Sequence, residues 1–106
     1  MDEQYQIIRA PIPDELLKDG IATLAIDDRE IVVVSEEGGY RAIDRWCPHE
    51  DGDLGEGLMF GKHIKCPIHG YIFELTKGQC LNQLNIKARV YAVEVTQEEI
   101  VLRPLS

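Results

Sequence analysis

The chain lacks the features that would let it span a membrane, staple itself with disulfides or grip a nucleic acid. No apolar run approaches the length of a membrane-crossing helix. Three cysteines among 106 residues are too few for a disulfide scaffold, and their odd number fits a reducing compartment. Eleven basic residues stand against nineteen acidic ones, a formal charge of -8, so the basic surface that a phosphate backbone or an anionic bilayer requires is missing. The opening Met1-Asp2-Glu3-Gln4 has neither the basic end nor the apolar stretch of a secretory signal, and the expectation is a cytoplasmic protein. There is no long helical pattern, repeat or low-complexity segment.

What is present describes one ordinary globular unit. Hydrophobic residues make up 44% and charged residues 28%, and the length fits a single domain over residues 1–106 with one core that a metal centre would help to staple. Short apolar runs at residues 4–9, 21–26, 31–35, 40–44, 86–95 and 100–103 read as strands. Turns are expected at Asp27-Asp28-Arg29, Glu36-Glu37-Gly38-Gly39 and Gln97-Glu98-Glu99, and proline ends the first strand at Pro11 and the last at Pro104. Residues 14–18 form one helical turn with acids at its start and Gly20 beyond its end. Ile31-Val32-Val33-Val34 is apolar on both faces, which predicts a central strand covered on two sides. Alternation from Ile86 slips at Ala92-Val93, where a bulge is expected. The fold class is therefore all-β, an antiparallel sandwich or barrel.

The chemistry lies between Trp46 and Cys80. One loop reads Cys47-Pro48-His49 and another Cys66-Pro67-Ile68-His69. Each offers one thiol and one imidazole, a donor set suited to zinc or to an iron-sulfur cluster. A structural zinc site takes both cysteines from one knuckle and both histidines from the other. Here each knuckle is mixed, as a centre with two irons spanned by both loops would require.

These loops, with Leu54, Gly57, Gly70, Phe73, Gly78 and Cys80 around them, resemble the Rieske [2Fe-2S] signature of soluble ferredoxins that serve bacterial ring-hydroxylating oxygenases. The resemblance implies a Rieske-type β base built from residues 1–44 and 77–106, with a small cluster-binding lobe inserted over about 45–76. It implies that Cys47 and Cys66 bind one iron as thiolates, that His49 and His69 bind the other, and that the cofactor is one [2Fe-2S] cluster. Pro48 and Pro67 then stiffen the loops without a donor to satisfy. Gly52, Gly55, Gly57 and Gly70 are expected to let backbone pass close to sulfur and point N–H groups at it. His63 reads as a strand or surface residue and Cys80 as a small packed side chain.

Two departures from the high-potential branch of the family matter. Its members carry an extra, disulfide-bonded cysteine in each loop, where this chain has Gly52 and Ile68. They also carry a serine and a tyrosine whose hydroxyls bond cluster sulfur, where this chain has Tyr71 and Phe73. Fewer such bonds disfavour the added electron, so the low end of the Rieske span of about -150 to +300 mV is expected.

Function follows from the resemblance as an expectation. The chain would be a monomeric one-electron carrier and not itself an enzyme, accepting electrons from an NAD(P)H-dependent flavoprotein reductase and passing them to a terminal oxygenase. Glu50, Asp51, Asp53 and Glu56 are either a solvated acidic loop or a collar that docks basic patches of those partners near the His49/His69 tip. Neither nucleic acid nor membrane is an expected partner. The alternatives are a tightly bound small Rieske subunit of a larger oxidoreductase, such as a nitrite reductase, and a zinc-stapled interaction module. A Rieske oxygenase's own mononuclear iron needs two further histidines and a carboxylate, and only His63 remains.

Overall fold

A computed structural model describes residues 7–36, 39–48, 52–68 and 70–105. Among the described residues, nine strands form two antiparallel sheets. The larger contains β1 (Ile8–Pro11), β2 (Ile21–Ile26), β3 (Arg29–Glu36), β4 (Gly39–Asp44), β8 (Val90–Val95) and β9 (Glu99–Leu105), in the order β1-β9-β8-β4-β3-β2. It curls into a nearly closed barrel. The smaller contains β5 (Leu58–Phe60), β6 (His63–Lys65) and β7 (Ile72–Glu74), and all three fall in the chain between β4 and β8.

The apolar run of β3 organises both sheets. Ile31, Val32, Val33 and Val34 are all fully buried. Ile31 and Val33 face a core shared with Ile8, Leu16, Leu24, Tyr91 and Leu102 inside the barrel. Val32 and Val34 face a second core on the other side, shared with Leu54, Ile64, Phe73 and Leu75 of the inserted segment. Each such side chain removed from water contributes about 1.5–3 kcal/mol, so the strand is stabilised from both faces and joins the barrel to the smaller sheet.

The helix α1 (Asp14–Asp19) ends at Gly20, whose φ of 78° and N–H bond to the Leu16 carbonyl close the last turn. Its one buried residue, Leu16, enters the barrel core.

Three expectations need correction. The first strand begins at Ile8 and includes Pro11 rather than stopping before it, because β1 is a sheet edge where a missing N–H costs nothing; residues 4–6 lie outside the described residues. The last strand likewise runs through Pro104, which pairs with Tyr91 beyond the point where β1 begins opposite Leu102. There is no bulge in β8. Its register with β9 is unbroken from Val90 opposite Leu105 to Val95 opposite Ile100. The slip in alternation arises because Ile86, Ala88 and Val90 face the outer core, whereas Tyr91, Val93 and Val95 face the inner one. Residues 86–89 precede the strand, joined to Gln79 by a single bridge at Lys87.

The turns are also tighter than the sequence indicates. Arg29 already belongs to β3, with Asp27 at φ 56°, and Glu99 belongs to β9. Glu36 pairs with Gly39; Glu37 and Gly38 lie outside the described residues. Among the described residues, no helix is long and apolar enough to cross a membrane.

Candidate metal centre

The two cysteine-bearing loops leave the ends of β4 and β6 and meet at one place. The first is closed at its neck. Trp46 bridges Asp53, the Cys47 N–H donates to the Gly52 carbonyl at 2.7 Å, and the Leu54 N–H donates to the Arg45 carbonyl at 2.7 Å. Arg45 adds a fork to the Asp53 carboxylate, Nε to Oδ1 and Nη2 to Oδ2, each 3.0 Å. Its third arm, Nη1, reaches Glu30 on β3 at 2.7 Å, and the Trp46 indole N–H donates to the same carboxylate at 2.8 Å. Asp53 also caps the 3-10 turn at Leu54–Glu56 by accepting from the Gly55 N–H. The Arg45 hydrogen bond holds the Asp53 carboxyl below the usual carboxylate range.

The second loop is a tight turn between β6 and β7. The Cys66 N–H donates to the Tyr71 carbonyl at 2.8 Å and the Gly70 N–H donates to the Cys66 carbonyl at 3.1 Å. Gly70 sits at φ 70°, in the left-handed region that glycine adopts without strain.

Gly52 is where the loops touch. A Cβ there would lie 2.5 Å from the Cys66 Sγ and 2.9 Å from Cγ1 of Ile68. The first loop's backbone therefore passes directly over the second loop's sulfur. The same virtual Cβ stands 3.5 Å from the Ile68 Cβ, the separation at which cysteine pairs bridge. Positions 52 and 68 thus face each other.

Cys47 and Cys66 are buried in the same outer core as Val32, Ile64 and Phe73, and neither forms a disulfide. Two buried soft donors brought to one end of the lobe, with a backbone pressed over sulfur, are a donor set suited to an iron-sulfur cluster, and the residues present fit that group. An open groove of about 410 Å³, lined by Glu56, Leu58, Lys65, Cys66, Pro67 and Gly70, reaches the second loop from outside. His49 and His69 lie outside the described residues, as do Glu50 and Asp51.

Other residues take places that the sequence reading did not give them. Of the four glycines expected near sulfur, Gly52 alone has sulfur as its nearest contact; Gly57 instead passes the Lys65 carbonyl and Gly55 the side chains of Asp53 and Thr23. Asp53 is not part of an open acidic collar, since Arg45 and the Gly55 N–H occupy its carboxylate. Glu56 is exposed. His63 is a β6 residue stacked on Phe60 with centroids 5.8 Å apart. Cys80 is fully buried, and its thiol donates to Asn82 at 3.3 Å. Phe73 is fully buried and Tyr71 packs at the edge of the same core.

Comparison with known proteins agrees with this geometry. The Rieske [2Fe-2S] domain model matches residues 8–102, and the chain belongs to that family. Within it, the chain is 25% identical over 97 residues to the ferredoxin component of the naphthalene 1,2-dioxygenase/salicylate 5-hydroxylase systems of Ralstonia sp, covering 91% of this chain and 93% of that protein. Among solved structures it is similar to the ferredoxin of carbazole 1,9a-dioxygenase from Nocardioides aromaticivorans IC177, with a TM-score of 0.71, 26% identity and coverage of 81% and 86%. It shares the fold, at 19% identity, with a putative NADH-dependent nitrite reductase small subunit from Mycobacterium tuberculosis, with a TM-score of 0.77 and coverage of 96% and 97%.

Proposed function

We propose that this protein is a one-electron carrier that takes electrons from an NAD(P)H-dependent flavoprotein reductase and delivers them to a terminal oxygenase of the ring-hydroxylating type. The observation that carries the reading is the contact of Gly52 with the Cys66 sulfur, which brings the two loops of the mixed cysteine-histidine signature to one tip. A relative matched over nearly its whole length is a ferredoxin component of oxygenase systems, and a ferredoxin of a carbazole dioxygenase shares its fold at 26% identity.

In this reading Cys47, His49, Cys66 and His69 hold one [2Fe-2S] cluster, the cysteines as thiolates on one iron and the histidines on the other. The cluster supplies a centre that gains and loses a single electron. The chain's own part is to hold that centre at the end of a rigid barrel, to bury the two thiols, and to present the imidazole edges to a partner. Residues 1–106 form one domain, with a lobe over about 45–76 inserted between the two parts of the barrel.

The partners carry basic patches that meet an acidic protein near the His49/His69 tip. Attraction between opposite surface charges at a distance speeds encounter more than it tightens the complex, as a shuttle needs. The protein works as a monomer in the cytoplasm.

A second reading, a permanently bound small subunit of a larger oxidoreductase such as a nitrite reductase, is favoured by the fold it shares with such a subunit over almost the full chain. The two differ in lifetime of the complex. Stopped-flow reduction by reductase and NAD(P)H, followed by reoxidation with oxygenase, should transfer one electron per chain while size-exclusion chromatography finds the carrier free. A chain that elutes only with a partner supports the subunit reading instead. A colourless protein carrying zinc would remove electron transfer altogether.

A further inference from the structure

The small sheet ends on β7, whose outer edge would be open were it not for the segment that follows. Residues 79–81 run back along it. The Glu74 N–H donates to the Gln79 carbonyl at 2.9 Å, Phe73 bridges Cys80, and the Leu81 N–H donates to the Ile72 carbonyl at 2.7 Å. One further donor, the Ile72 N–H, faces the same edge. Among the described residues, no backbone carbonyl meets it.

The Asn82 side chain fills that gap. Its Oδ1 accepts from the Ile72 N–H at 3.0 Å, and its Nδ2 donates to the Gly70 carbonyl at 3.0 Å. A side-chain amide carries one acceptor and two donors in the arrangement of a peptide group, so it continues the ladder for one more step and past the end of β7. The Cys80 thiol donates to the same Oδ1 at 3.3 Å, which fixes the amide from the buried side. Gln79 holds the turn that delivers it: its Nε2 donates to the carbonyls of Cys80, Leu84 and Ile86 at 3.1, 2.9 and 3.3 Å.

Gly70 is the residue immediately after His69, and its N–H closes the turn back to Cys66. The amide of Asn82 therefore ties the carbonyl end of the second cluster loop to a segment that is itself anchored along β7. We propose that Asn82 is a positioning residue for the cluster: it clamps the loop that carries Cys66 and His69, so that the cluster is retained and its environment is uniform. This rests on the ligand set given under Proposed function. Asn82 acts on the loop through Gly70 and Ile72.

The test compares the intact protein with Asn82→Ala, Asn82→Asp and, as a control on the same segment, Gln83→Ala. Loss of visible absorbance to a ferrous chelator, the electron paramagnetic resonance line shape and the exchange of backbone amides over residues 66–74 are followed on each. Asn82→Ala should lose the cluster about tenfold faster, broaden the resonance and raise amide exchange over residues 70–72, with far-UV circular dichroism unchanged and Gln83→Ala like the parent. Asn82→Asp keeps the acceptor for the Ile72 N–H and loses the donor to Gly70. It retains one of the two bonds to the loop, and should still release the cluster several-fold faster. An unchanged release rate, resonance and amide exchange in the aspartate variant and in any alanine variant that folds would overturn the proposal. If the parent itself holds no cluster, the electron-carrier reading fails. The exchange of amides 70–72 in the variants then decides the clamp: no increase overturns it, and an increase upholds the hold on the loop.

Discussion

Arg45 and Asp53 grip each other through two parallel bonds of 3.0 Å across the neck of the first cysteine loop, enclosing the seven residues from Trp46 to Gly52. A planar guanidinium suits this fork and a lysine ammonium does not. Because the third arm of Arg45 reaches Glu30 on β3, the loop is fastened to the barrel as well as closed on itself.

Arg45→Lys should therefore loosen the loop while leaving the barrel folded. The expected result is faster amide exchange at Leu54, whose N–H bonds the Arg45 carbonyl, and lower iron content per chain. The pH dependence has a definite sign. Asp53 is held below its ordinary value of 3.8 in the folded state, so its contribution is fully present above that value and is lost as the pH falls through the lower folded one. Asp53→Asn should remove this part of the acid sensitivity, read from thermal unfolding at several pH values.

Gly52→Ala tests the contact between the loops. A methyl group 2.5 Å from the Cys66 sulfur cannot be accommodated without a shift, and overpacking of this kind costs about 1–3 kcal/mol. Iron and sulfide per chain should fall well below the parent's, with the barrel's circular dichroism retained. A variant that assembles its cluster normally would show that the two loops do not pack as described.

Phe73 is fully buried in the core that joins the barrel to the small sheet. Phe73→Ala should cost about 3–5 kcal/mol, measured by denaturant unfolding. Protection should be lost first in β5 to β7, because the inner core around Ile31, Val33 and Tyr91 does not touch residue 73. Uniform loss of protection across both sheets would show that the two cores are one cooperative unit.

Asp44 shows the opposite linkage to Asp53. Burial raises its carboxyl above the usual value of 3.8, against the lowering effects of the Tyr91 hydrogen bond and of Arg29. A carboxyl raised in the folded state carries a penalty above its folded pKa that disappears as the pH falls to its unfolded value. Asp44→Asn keeps an acceptor for the Tyr91 hydroxyl and removes the charge. It should melt higher than the parent at pH 7, with the difference shrinking toward pH 4.

The sequence made much of the barrel legible because its signals are local. Three apolar runs separated by turn residues marked β2, β3 and β4, and the doubly apolar stretch of β3 marked a strand with a core on each side. The small sheet was not legible, since strands of three residues such as Leu58–Phe60 and His63–Lys65 carry too little pattern to distinguish from loop. Pro11 and Pro104 misled because their tolerance depends on sheet order, which is a tertiary fact. The apparent slip at Ala92-Val93 depended on which face was covered. At the site, the two mixed loops Cys47-Pro48-His49 and Cys66-Pro67-Ile68-His69, with the residues around them, carried the signal. Asp53 and Asn82 carried none: Asp53 read as part of an acidic loop and Asn82 had no assigned place, and only the positions of Arg45, Gly70 and Ile72 give them roles.

The central claim is the mixed-ligand cluster, and electron paramagnetic resonance on protein purified without oxygen and reduced with dithionite tests it most directly. Iron and sulfide are counted on the same sample. The account predicts a rhombic signal averaging well below the free-electron value, with about two irons and two sulfides per chain, and its loss in Cys47→Ala, Cys66→Ala, His49→Ala and His69→Ala. A colourless, silent protein with stoichiometric zinc, or a native signal that survives replacement of either histidine, would contradict it.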